Sequence, residues 1–173
     1  MSTTRTTAVL LSALAVAGLS GCAGMADHHR RHGPGHGPGH GHGPAHGMIA
    51  HESPHGPEAT LARLVDQLKQ RNLNVAARID HRAAARGIGQ TLRPTEVLIF
   101  GNPQAGTPLM QCAQTLGIDL PMKALVWVDA GGRTWLGYND PVWLVHRHGG
   151  GDCPAAVNVG KALAAVAAAT VAP

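Results

Sequence analysis

The sequence predicts an α+β domain: a mixed β-sheet of about five strands with helices packed on it, in the order β-α-β-α-β-α-β-β-α, preceded by a signal peptide and a disordered linker. Three observations carry this expectation. Residues 97–100 and 124–128 are short, continuous apolar runs bounded by turn formers, which read as buried strands. Leu61, Leu64, Val65 and Leu68 recur at i, i+3, i+4 and i+7, the spacing of one helical face. Residues 154–171 are rich in alanine, with Ala156, Val159, Leu163 and Val166 on one side of a helix. The chain has 173 residues, which leaves room for one ordinary domain once a leader and a linker are set aside.

The leader is residues 1–21. Arg5 gives it a positive start, an apolar run follows from about Ala8 to Leu19, and small residues close it. The run is too short to span a bilayer as a helix. Its end, Leu19-Ser20-Gly21-Cys22, resembles the lipobox of bacterial lipoproteins, which implies a lipidated Cys22 at the mature N-terminus. Ala23 after the cysteine implies sorting to the outer membrane, facing the periplasm.

Residues 22–46 form the tether. From Asp27 the composition turns to His, Gly and Pro, with HGPGHGPGHGHGPAHG at its centre, and the His-rich character runs on through His51 to His55. So few apolar side chains cannot offset the entropy of ordering the backbone, so disorder is expected. His28, His29, His32, His36, His40, His42 and His46 are candidate metal ligands. Neutral imidazole suits Zn, Cu or Ni, and a chain of this kind would bind them weakly and release them on acidification. The competing reading is a solvated spacer.

The domain, residues 47–171, begins with a short strand near Met48 to Glu52 and a helix from Pro57 to Arg71. Leu73, Val75, Ala77 and Ile79 alternate with polar or small residues, as in a half-buried strand. Asp80 is placed to cap a helix from His81 to Arg86 that Gly87 closes. Thr95 to Phe100 does not alternate, which suggests a central strand buried on both faces. Thr107 and Pro108 then read as the cap and first residue of a helix to about Leu116. Asp129-Ala130-Gly131-Gly132 joins strands 124–128 and 134–138 as a hairpin. Asn139-Asp140-Pro141 ends the second of these, and residues 143–148 lead into a Gly-rich loop before the last helix.

Several motifs stand in the order and spacing of the domain-of-unknown-function 302 family, which the chain resembles over about residues 47–171. They are Ile79-Asp80-His81 with Ala85, FGNPQAGTPLM at 100–110, Ile118-Asp119-Leu120-Pro121, Tyr138-Asn139-Asp140-Pro141 and Arg147-His148. The resemblance implies a sheet backed by helices and homodimers, with no settled activity. Cys112 and Cys153 depart from the family pattern.

The polar residues His81, Asn102, Thr107, Asp119, Asn139, Asp140 and His148 fall at strand ends and helix starts, where a small-ligand pocket is commonly built. Caps and turns explain most of them equally well; His81 and His148 are the least explained, and an enzyme using either one is the third reading. No nucleophile elbow, Walker loop, HExxH or paired CxxC is present. Apart from Arg30-Arg31, Lys and Arg are scattered singly, which argues against a nucleic-acid surface. With Cys22 lipidated in an oxidising compartment, two cysteines remain: a Cys112–Cys153 disulfide is the favoured reading, and Cys112 paired with a histidine such as His81 as a nucleophile is the alternative.

Overall fold

The structure is a computed structural model that describes residues 45–173. The lipobox Cys22 and the tether residues His28, His29, His32, His36, His40 and His42 lie outside the described residues. The elements run β1 (Met48–Ser53), α1 (Pro57–Gln70), β2 (Asn74–Asp80), α2 (His81–Gly87), β3 (Thr95–Gly101), α3 (Pro103–Cys112), a 3-10 turn (Gln114–Ile118), β4 (Met122–Val128), β5 (Thr134–Asn139), α4 (Pro141–Arg147) and α5 (Pro154–Val171). The class is α+β, and the strands order as β1-β5-β4-β3-β2.

The sheet is antiparallel throughout rather than mixed. β2 and β3 are joined by α2 and residues 88–94, and β3 returns beside β2 in the opposite direction. The central strand is β4, not β3. In β3, Leu98 and Phe100 are buried while Val97 and Ile99 are half-covered, because helices pack on one face only. The opposite face carries Trp127 stacked on Trp135, ring centroids 6.1 Å apart.

β2 is an edge strand with every residue exposed, not the half-buried strand that its alternation suggests. A bulge between Val75 and Ala77 breaks the period, so Val75 lies opposite buried Phe100 while Ile79 lies opposite Val97 on the other face. Arg78 pairs with Glu96 across the two strands. Residues 141–147 form a helix, α4, and are more than the approach to a loop. Asp140 caps it, accepting from the Val142 amide at 2.9 Å, and Pro141 opens it.

The covered face is built largely from leucine. Leu61, Leu64 and Leu68 of α1 and Leu163, Val166 and Ala167 of α5 meet Leu98, Phe100, Val126 and Leu136 of the sheet. α5 is the one helix among the described residues long and apolar enough to cross a membrane, and here it is part of this core. His51 and His55 belong to the domain rather than to the tether: His51 sits on β1 with its ring stacked beside Tyr138, and His55 Nε2 lies 2.7 Å from the Ala172 carbonyl oxygen.

The β4–β5 turn is closed by one carboxylate. Asp129 accepts from the amides of Gly131 and Arg133, from the Arg133 guanidinium and from the Trp135 indole. The Arg133 amide foremost, with the indole next, brings its pKa down to about 2. At the other hairpin edge, Gly47 has φ +80°, and a side chain there would run into the Trp143 ring.

The C-terminal carbonyls of α5 are taken up by α1. Arg63 donates to the carbonyl oxygens of Thr170 at 2.8 Å and Ala172 at 2.7 Å, placing a cation at the negative end of the helix dipole. Arg63→Met is expected to lower stability by about 2 kcal/mol, read as a shift in the urea unfolding midpoint. An unchanged midpoint would show that these bonds contribute nothing net.

Candidate functional site

The helix after β3 does not start at Thr107-Pro108: it starts at Pro103, capped by Asn102, which accepts from the Ala105 amide at 2.8 Å. Asparagine is the stronger cap and stands directly at the strand end. Pro108 therefore falls inside α3, and Thr107 is an exposed helical residue rather than a cap. The Asn102 amide nitrogen donates to the Asn72 carbonyl at 3.1 Å, tying the start of α3 to the α1–β2 turn, where Asn72 has φ 56°. Both ends of this side chain are engaged in holding the backbone.

A cavity of about 470 Å³ lies beside α3. Phe100, Gly101 and Met122 come from the sheet, Gly106, Thr107, Leu109 and Met110 from α3, Gly117, Leu120 and Pro121 from the connection to β4, and Val159, Ala162 and Leu163 from α5. Leu73 and Asn102 complete the rim facing α1. The volume is in the range of small-molecule sites. Two lining positions supply little bulk: Ala162 is short, and a Cβ added at Gly106 would meet nothing within 4 Å.

Of the residues singled out in the sequence, Asn102 and Thr107 line this cavity. His81 does not; it is exposed in the first turn of α2, after Asp80, which accepts from the Ala83 amide. Asp119 and His148 are brought together elsewhere. His148 Nε2 lies 2.8 Å from Asp119 Oδ2, and its Nδ1 lies 3.0 Å from Thr115 Oγ1. Arg147 donates to the same carboxylate at 3.2 Å, and Lys123 donates to the Asp119 carbonyl at 2.7 Å. This cluster locks the end of α4 to the connection before β4. Both imidazole nitrogens are occupied in it.

Asn139 and Asp140 form a third location, at the end of β5. Asn139 pairs with Met48, the Asp140 amide donates to the Gly47 carbonyl at 2.9 Å, and the Asp140 side chain caps α4. Burial, with Asp140 adding to it, raises the Tyr138 hydroxyl above its ordinary pKa. His46 is exposed, its ring tilted against Trp143 with centroids 5.9 Å apart. Among the described residues no group of three or more His, Cys, Asp or Glu stands ready for a metal ion. A second cavity of about 370 Å³ lies between α4 and the start of α5, beside His146 and Asp152.

Sequence reasoning missed the far wall of the main cavity. Phe100, Met110 and Met122 read as ordinary core, and nothing in the local pattern says that Val159 and Ala162 face Gly106 across a gap. The Gly-Asn-Pro and Gly-Thr-Pro punctuation of residues 101–108 was the available signal.

Cys112 ends α3 and Cys153 caps α5; the two are disulfide-bonded, with Cα atoms 6.0 Å apart. The bond staples together the two helices that face each other across the cavity.

The fold and this site define a class: a single antiparallel sheet backed by helices on one face, with an apolar cavity where the chain leaves the sheet. The family is the domain of unknown function DUF302, whose model matches residues 49–170, and the chain belongs to it. The crystal structure of an uncharacterised conserved DUF302 protein from Bacillus stearothermophilus is similar, with a TM-score of 0.66 and 25% identity over 73% of this chain and 99% of that one.

The chain is also 48% identical over 101 residues to a protein of Brucella suis biovar 1 (strain 1330) named fluoride-specific ion channel FluC 1. It is equally similar to FluC 1 of Brucella abortus and FluC 2 of Brucella melitensis. The match takes in 58% of this chain and 37–40% of those proteins, so the chain spans well under half the length of the curated relatives it matches.

The disulfide closes a sequence separation of 41 residues. The double variant Cys112→Ala/Cys153→Ala is expected to lose about 3–4 kcal/mol by the entropy of the opened loop. Urea unfolding in the absence of reductant measures it, and a midpoint equal to that of the native chain would refute the staple.

Proposed function

We propose that this protein is a lipid-anchored cell-envelope module whose DUF302 domain binds a small molecule in the cavity between α3 and α5. The observation that carries the reading is the cavity itself: about 470 Å³, formed by residues of the sheet, two helices and a connection, beside the motif at 100–110. Anchoring through Cys22 rests on the lipobox, and outer-membrane placement facing the periplasm on Ala23. The bonded pair Cys112–Cys153 supports an oxidising compartment. The membrane, through the lipid, and the small ligand are the partners of this reading, and a second copy is the partner that the family resemblance implies.

Gly106→Leu fills the cavity from a helical position and raises helix propensity at the same time. Native mass spectrometry of the protein isolated from envelope material is expected to show a small-molecule adduct on the native chain that the variant lacks. An adduct of equal intensity on both would place binding elsewhere.

A second reading is metal buffering by the tether, favoured by its run of histidines. It calls for deletion of residues 27–44 only, because β1 begins at Met48 and His55 packs at the end of α5. The deleted chain is expected to lose most of its Zn, Cu or Ni uptake by calorimetry. Retention of the full stoichiometry would sink it. Enzymatic chemistry at His148 would require breaking its bonds to Thr115 and Asp119. The channel named in the Brucella relatives gives no ground for placing fluoride in this cavity, since a strongly hydrated anion needs donors or cations that the lining does not offer.

A further inference from the structure

The lining of the main cavity carries more information than its volume. None of its side chains is ionisable. Phe100 and Leu109 are fully buried there, and Met110 and Met122 contribute thioethers that adapt to irregular shapes. Its two polar side chains differ in availability. Asn102 is engaged at both ends, to Ala105 and to Asn72. Thr107 is exposed on α3 and stands at the rim.

The cations of the adjoining connection are already engaged. Lys123 donates to the carbonyls of Asp119 and Pro121, and Arg147 is paired with the Asp119 carboxylate. A charged group entering the cavity would lose its water and gain no counter-ion in return.

We propose that the ligand is an electrically neutral, mainly apolar molecule, with any hydrogen-bonding group held to its outer end beside Thr107. This rests on the cavity being the binding site, and it adds the chemical class. The body enters between Phe100, Met110 and Val159 and displaces water from apolar walls, which drives binding without charge pairing. Anionic metabolites, phosphate esters and cationic amines are rejected by desolvation rather than by shape.

The test uses two fluorophores with one anilinonaphthalene body: N-phenyl-1-naphthylamine, which is neutral, and 8-anilinonaphthalene-1-sulfonate, which is anionic. Each is titrated into the full chain. The neutral probe is expected to saturate at one per chain and to bind at least tenfold more tightly than the sulfonate. Gly106→Leu is expected to weaken it at least tenfold, with Ala162→Leu as an independent blocking variant should the first fail to fold. Equal affinity for both probes, lost in the blocked variants, would overturn the neutral class while leaving the cavity as the site. Neutral-probe binding that survives both substitutions, or its complete absence from the native domain, would overturn the cavity reading as well.

Discussion

One face of a five-stranded antiparallel sheet has to be kept from water, and α1 and α5 do it side by side. That packing is the constraint on which the rest depends. Each buried leucine contributes about 1.5–3 kcal/mol, and Leu64, Leu68, Leu98 and Leu136 are essentially inaccessible. Because the chain has only one Phe and one Tyr, the core is filled by aliphatic side chains, and α5 approaches the sheet on small residues such as Ala156 and Ala167. Arg63 and His55 then hold the carbonyl end of α5. The other end is bonded through Cys153. α5 is thus fixed at both ends, with the cavity beside its middle.

Much of this was legible. The heptad-like leucines gave α1, Asp80 gave α2, and the alanine-rich run gave α5, each within a residue or so of its observed bounds. These signals are local: a cap, a period, a proline at the first turn. What failed was non-local. Strand order and direction depend on pairings between residues far apart in sequence, which no local pattern records: the sheet is antiparallel rather than mixed, and β4 rather than β3 is central. The bulge in β2 left no mark on its alternating sequence. Thr107-Pro108 reads as a helix start because the apolar spacing resumes at Leu109, whereas the helix begins at the strand end, with Asn102 as its cap.

The candidate residues divide by the same principle. Asp119 and His148 are distant in sequence but meet across α4, while Asn102 and Thr107 reach the cavity and His81 stays outside on α2. The polar residues that attracted notice are mostly occupied in holding backbone, Asn102 twice over and His148 at both nitrogens. The surface that a ligand would touch is made instead by glycine, alanine and methionine, residue types whose contribution is the space they leave. A motif search weighted toward polar side chains looks past such a site.

The edge strand β2 has its own consequence. A fully exposed strand presents free amides and carbonyls on which a foreign strand can grow, and exposed β-branched apolar residues such as Val75 and Ile79 would favour such growth. The bulge after Val75 puts the ladder out of step within this short strand, and Arg78 sets a charge in its middle. A flat, regular partner cannot match that register for more than a few residues. The irregularity that hid β2 from its alternation also guards the domain against self-templated fibre growth along this edge.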